Sequence, residues 1–201
     1  MLFDIDMTLI NTNRSGRAAL DAAFLRAFGV ERATEGVAID GRTDHAIFSD
    51  IIALHGLADG DLAAAREKAV ATYLDELQAT LAVRAGEVLP GVMEVLGELH
   101  GSHGSVGLAT GNMRAGARTK LAHFGLWERF AAGGFGDDTP VRAEVVRAGM
   151  VALAEMIGCD VDPGDCIVIG DTPLDVEAAR AVGVRTLAVA SGRFSADELR
   201  A

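Results

Sequence analysis

Leu2-Phe3-Asp4-Ile5-Asp6-Met7-Thr8-Leu9-Ile10 is the stretch that decides how this chain is read. It begins as an apolar strand and delivers two aspartates, two residues apart, to one end. Strand side chains alternate with period two, so Asp4 and Asp6 start on one side of the backbone. A turn near Asp6 separates them, leaving one carboxylate to attack and the other to handle a proton. A buried strand seldom carries two carboxylates to one end without a metal or a reaction to justify them. The plain alternative is a strand that ends in a solvated acidic turn.

Two further apolar runs end in the same way. Ser105-Val106-Gly107-Leu108-Ala109 leads into Thr110-Gly111-Asn112, and Cys166-Ile167-Val168-Ile169 leads into Gly170-Asp171-Thr172-Pro173-Leu174-Asp175. In an open parallel sheet, ligands bind outside the carboxyl ends of the strands. Three polar clusters at three such ends are far more specific than any one of them. A short strand before Phe135 and a last one at Thr186-Leu187-Ala188-Val189 alternate with helical patterns, which predicts an α/β fold with a doubly wound parallel sheet.

No strand is legible between residues 17 and 84. Helical stripes fill that region: Leu20, Phe24 and Phe28; Ile47, Ile51 and Leu54; then Leu62, Val70, Leu74, Leu77 and Leu81. A parallel crossover needs only about a dozen residues or a little more. Residues 12–86 are therefore expected to form a helical insertion, with residues 1–11 and 87–201 forming the α/β core.

The chain has 201 residues, half of them hydrophobic, and a formal net charge of −11. That length can bury one sizeable core. The acidic balance argues against nucleic-acid partners and anionic membranes, but not against a small anionic substrate beside a metal. No apolar run approaches the ~20 residues of a membrane helix, and no basic leader precedes the first strand, so a cytoplasmic chain is expected. Cys159 and Cys166 are expected to be reduced, buried thiols.

Asp4, Asp6 and Asp171 at one site would repel one another, and a hard cation removes that cost. Oxygen-only ligands select Mg²⁺. The Thr110 hydroxyl and the backbone N–H groups of Gly111 and Asn112 would cradle an anion. Asp4 could then attack phosphorus, and Asp6 could protonate the leaving oxygen and later deprotonate water.

These residues resemble the haloacid dehalogenase-like (HAD) superfamily, in its phosphoglycolate-phosphatase-like subgroup with a helical cap after the first strand. Asp4, Asp6 and Thr8 match its Asp-x-Asp-x-Thr motif, Thr110 its second motif, and Gly170, Asp171 and Asp175 its Gly-Asp-x-x-x-Asp motif. The resemblance implies that Asp4 is the nucleophile and Asp6 the general acid/base. It implies Mg²⁺ on the Asp4 carboxylate, the Asp6 main-chain carbonyl and Asp171, with Thr8 and Asp175 in supporting places.

The family's third motif is a cation that neutralises nucleophile and phosphate. Arg142, at a predicted helix start, is the favoured match; Lys120 competes, but reads as a solvated mid-helix lysine. Met7 departs from the glycine usual at that place. In the insertion, Gly41-Arg42-Thr43-Asp44-His45 resembles cap loops that face the active site, so Arg42 or His45 would read the leaving group; Thr43 or Asp44 could equally cap the next helix. The expected function is a Mg²⁺-dependent phosphatase acting on a small phosphorylated metabolite. A sugar-phosphate mutase of the β-phosphoglucomutase type and a catalytically silent binding module are the alternatives. A dehalogenase is disfavoured because the dehalogenases lack the second aspartate.

Overall fold

The computed structural model describes residues 1–101 and 105–200. Five parallel strands form the sheet: β1 (Leu2–Phe3), β4 (Gly107–Ala109), β5 (Ala132–Gly134), β6 (Ile167–Gly170) and β7 (Arg185–Ala188). Their spatial order is β5-β4-β1-β6-β7, which puts β1 at the centre. Leu2 pairs with Gly107 on one side and Val168 on the other. β1 is only two residues long because Asp4 already leaves the ladder, although its N–H still reaches the Ile169 carbonyl at 2.8 Å.

The two residues of β1 show how the sheet is covered. Leu2 packs with Val146, Leu153, Val168 and Ala179, beneath α6 (Arg142–Ile157) and α7 (Pro173–Val182). Phe3 packs with Leu96, Leu108, Leu121 and Phe130, beneath α4 (Val92–Gly101) and α5 (Arg114–His123). A sheet covered on both faces needs near-continuous apolar strands, as its Leu-Phe, Gly-Leu-Ala and Ile-Val-Ile runs supply. A short helix, α8 (Ala196–Arg200), follows the last strand.

Between β1 and β4 the chain builds α1 (Ser15–Phe28), α2 (Asp44–Leu54) and α3 (Leu62–Val83). These helices share their own cluster, including Phe24, Phe48, Ile51, Tyr73 and Leu77. Fully burying each large apolar side chain is worth about 1.5–3 kcal/mol at most. Phe48 meets Tyr73 edge-on with ring centroids 5.4 Å apart.

The buried face of α3 differs from the expected stripe. It runs Ala65, Ala69, Tyr73, Leu77 and Leu81, while Leu62 is exposed at the helix start. Alanines at 65 and 69 take up little room where α3 packs along α1. Leu54 is likewise exposed, at the end of α2. The chain leaves and re-enters the core through an antiparallel pair the sequence did not reveal, β2 (Ile10–Asn11) against β3 (Glu87–Val88). Cys166 is buried as expected, but Cys159 is exposed. Among the described residues no helix is long and apolar enough to cross a membrane.

Candidate active site

The carboxyl ends of β1, β4 and β6 converge on a cavity of about 600 Å³, lined from the core by Asp4, Asp6, Gly111, Asn112, Lys120, Arg142 and Asp171. Past Asp6 the backbone turns sharply: the N–H groups of Thr8, Leu9 and Ile10 all donate to the Ile5 carbonyl. The turn sends the two carboxylates to different partners. Met7 lies on it with φ 57°, the left-handed conformation that costs a side chain roughly 1–2 kcal/mol. The Ser191 hydroxyl holds the Met7 carbonyl there. Thr8 is buried nearby, with its hydroxyl unpartnered among the described residues.

Two buried cations divide the aspartates between them. The Arg142 guanidinium lies 2.9 Å from Asp4 Oδ1 and forks onto Asp175 Oδ1 at 2.6 and 3.1 Å. Burial opposes its charge, but Asp175 and Asp4 outweigh that and raise its pKa further. Its placement at the start of α6 is as expected.

The reading of Lys120 as a solvated surface lysine is wrong. It is 5% exposed, and its ammonium donates to Asp6 Oδ2 and to Asn112 Oδ1, both at 2.6 Å. The reason lies in the packing of α5, whose buried face is Gly116, Ala117, Lys120 and Leu121. Gly16 of α1 leaves room for the long side chain: a Cβ there would stand 3.4 Å from Lys120 Nζ. Asn112 completes the arrangement by donating from Nδ2 to Asp6 Oδ2 (2.8 Å) and to Thr110 Oγ1 (2.9 Å). Its backbone N–H is also spent on Thr110 Oγ1, so the expected role of that N–H in an anion cradle is not what the geometry presents.

Asp171 is the least compensated of the acids. It is 5% exposed and, among the described residues, forms no ion pair. Burial first, then Asp4 and Asp175, push its pKa up to about 8. Asp4 is also raised by burial, with Arg142 opposing. Carboxylate oxygens of Asp4, Asp171 and Asp175 lie within 4.8 Å of one another. Asp175 is already taken, because Oδ1 serves Arg142 while Oδ2 accepts from the Thr172 N–H and hydroxyl. That leaves Asp4 and Asp171 as open, oxygen-only donors with excess negative charge, a set that fits a hard divalent cation. Gly192 lies against Asp171: a Cβ there would stand 1.9 Å from Asp171 Oδ2.

The helical segment closes the other side. The Gly111 carbonyl accepts the Asp44 N–H at 2.7 Å, and a Cβ on Gly111 would stand 2.1 Å from the Arg42 carbonyl, so only glycine admits this approach. Arg42 lines the cavity, but its guanidinium is engaged by Asp50 (2.6 Å) and the Ala38 carbonyl, against the expectation that it reads a ligand. His45 turns instead to Arg66 and the Asp137 carbonyl. Thr43 caps α2, accepting from the Ala46 N–H.

Asp44 does something the sequence did not suggest. Its carboxylate accepts the Met113 N–H at the start of α5. Burial pushes its pKa to about 6, with Lys120 and the Met113 N–H opposing. Tyr73, buried alongside, has its phenol raised well above the ordinary value by burial and by Asp44 and Asp6.

Known proteins resemble this chain over most of its length. It is 28% identical over 189 residues to fructose-1-phosphate phosphatase of Escherichia coli, covering 92% of each chain. It is 26% identical over 200 residues to phosphoglycolate phosphatase 1 of Pseudomonas aeruginosa, covering 96% of this chain and 69% of that one. The fold matches the crystal structure of β-phosphoglucomutase from Clostridium difficile with a TM-score of 0.71 at 16% identity, over 99% of this chain and 86% of that one. The family model for haloacid dehalogenase-like hydrolases matches residues 1–189. With its parallel sheet and its carboxylates at the strand ends, the chain belongs to the haloacid dehalogenase-like hydrolase family.

Proposed function

We propose that this protein is a Mg²⁺-dependent phosphatase that hydrolyses a small phosphorylated metabolite through an aspartyl-phosphate on Asp4, with residues 12–86 acting as a cap over the site. The observation that carries the reading is the partition of the two aspartates between two buried cations beside the uncompensated Asp171. Phosphatases among the curated relatives support the reaction class.

Asp4 has one oxygen on Arg142, which fixes the carboxylate and leaves the other oxygen to attack phosphorus. Arg142 also offers its charge to the phosphoryl oxygens, and Gly111 and Asn112 border the same space. Thr110 does not line it: it is fully buried, and its hydroxyl accepts from Asn112, so its part is to hold Asn112 in place. Asp6 stands on the far side of the turn, 38% exposed at its side chain and therefore open to the leaving group and to water. It is suited to give a proton to the departing oxygen and to take one from water in the second half-reaction. Lys120 and Asn112 hold it in place. Asp4, Asp171 and the Asp6 carbonyl would hold Mg²⁺. Bound there, the ion would supply positive charge against the acids and the phosphoryl group.

The test is a panel of phosphomonoesters, including β-glucose 1-phosphate, assayed with Mg²⁺ and with EDTA beside Asp4→Asn. Phosphate release that requires both Mg²⁺ and Asp4 is the expected result. Isomerisation without release would replace hydrolase with mutase, and release indifferent to Asp4 would overturn the mechanism.

A further inference from the structure

The basic residues that line the cavity are Arg14, Arg17, Arg42, Lys120, Arg142 and Arg193. Five have partners that hold their charged ends. Arg17 donates to the Thr34 hydroxyl and carbonyl, Arg42 pairs with Asp50, Lys120 with Asp6, Arg142 with Asp4 and Asp175, and Arg193 with Asp40. Among the described residues, Arg14, which is exposed, is the one of these six whose side chain makes no hydrogen bond and no ion pair.

Arg14 is also the wrong residue for its place by three separate criteria. It is the N-cap of α1 with φ 62° and ψ 22°, a left-handed conformation that favours glycine or asparagine. Its side chain makes no capping bond, where Ser, Thr, Asp or Asn would satisfy an orphan N–H. It puts a positive charge at the positive end of a helix whose first turn has no acid. The preceding Asn13 is left-handed too, at φ 48°. The turn is nevertheless firmly built. Asn11 Oδ1 accepts the Asn13 N–H, Thr12 accepts from the Ser15 N–H and hydroxyl, and Arg84 donates to the Asn13 carbonyl. A residue that breaks three local rules in a well-ordered turn, facing a ligand-sized cavity, marks a functional position.

We propose that Arg14 is a specificity-determining residue that pairs with a second anionic group, a carboxylate or a further phosphate, on the part of the substrate that leaves. This rests on the phosphatase reading and narrows it to doubly anionic phosphomonoesters. The residues at the strand ends take the phosphoryl group. Arg14 enters from the start of α1, on the side of the cavity formed by the helical segment, and takes the charge at the other end.

The experiment compares phosphoglycolate with ethyl phosphate, and fructose 1,6-bisphosphate with fructose 1-phosphate, on the wild type and on Arg14→Gln and Arg14→Lys. The expected result is a preference for the charged member of one pair. Arg14→Gln should lower that preference at least tenfold, chiefly through KM, and Arg14→Lys should restore part of it. The pair that responds tells whether the second group is a carboxylate or a phosphate. Arg14→Asn, which suits the left-handed N-cap, should raise the melting temperature while losing the preference.

Binding of phosphonoacetate against methylphosphonate, measured by calorimetry with Mg²⁺, gives the same comparison without turnover. Equal use and equal binding of charged and neutral members, or a loss in Arg14→Gln shared by both, overturns the role of Arg14. Failure of every ester to release phosphate in an Asp4-dependent way overturns the phosphatase reading itself.

Discussion

Replacing Arg142 with lysine keeps the charge and removes the fork, so it tests whether one planar cation holds Asp4 and Asp175 together. The guanidinium makes three close contacts: one to Asp4 Oδ1 at 2.9 Å and two to Asp175 Oδ1 at 2.6 and 3.1 Å. A lysine ammonium is a point charge on a shorter stem and cannot span both acids in this geometry. Losing one charge-assisted hydrogen bond predicts a stability loss of about 1.5–3 kcal/mol for Arg142→Lys. With m near 2 kcal/mol/M, the urea midpoint falls by about 0.75–1.5 M. Arg142→Met goes further, because it leaves Asp4, Asp171 and Asp175 crowded together with no cation. Breaking such a buried pair costs about 3–5 kcal/mol, and saturating Mg²⁺ should recover part of it. The same variants should lose at least about thirtyfold in kcat/KM, the equivalent of about 2 kcal/mol. Urea melts with and without Mg²⁺, beside steady-state kinetics, measure both. Arg142→Lys within about 0.5 kcal/mol and threefold of the wild type would refute the reasoning, since both limits lie below one charge-assisted bond.

Lys120→Met matches the stem and deletes the charge from Asp6 and Asn112. Turnover is expected to fall about a hundredfold, in the range of a lost general-acid/base function, and activity within threefold of the wild type would return Lys120 to a packing role. Asp44 has its pKa raised from 3.8 to about 6 by burial, with Lys120 and the Met113 N–H opposing and Asp6 and Asp137 adding to it. The folded state therefore binds this proton more tightly than the unfolded chain. Its contribution is fully present below about pH 4 and is lost as pH rises through 6. Stability of Asp44→Asn relative to the wild type should rise by about 2–3 kcal/mol between pH 4 and 7.5, and a difference that stays flat in urea melts would contradict this. Gly192→Ala places a methyl 1.9 Å from the present position of Asp171 Oδ2. The Mg²⁺ concentration for half-maximal activity should rise at least tenfold, and an unchanged value would remove Gly192 and Asp171 from the cation site.

The parts of this molecule legible in the sequence are those written in local patterns. The apolar runs that end at Asp4, Thr110 and Asp171 mark three adjacent central strands, and their polar ends do meet at one cavity. What escaped was set by tertiary packing. Lys120 reads as a surface lysine because a lysine in mid-helix is ordinarily solvated; only Gly116 and Ala117, one turn earlier, hint that this face turns inward. The β2–β3 pair has two residues per strand, too few for a period to appear. Asp44 looked like a possible cap for its own helix, yet its carboxylate serves the start of α5, 69 residues away. Arg42 resembles a cap-loop arginine but is held by Asp50, while nothing in the sequence marks Arg14, because no local pattern discloses its left-handed backbone.

The central claim is that Asp4 becomes phosphorylated. Rapid quenching of the wild type with Mg²⁺ and a substrate it turns over, followed by peptide mass spectrometry, tests it most directly. The account predicts one phosphoryl group on the peptide carrying Asp4, absent in Asp4→Asn, and both formed and lost more slowly in Asp6→Asn, which lacks the acid of the first half-reaction and the base of the second. Phosphate release from the wild type with no phosphoryl group on Asp4 at any time, or a phosphoryl group that persists in Asp4→Asn, would contradict it.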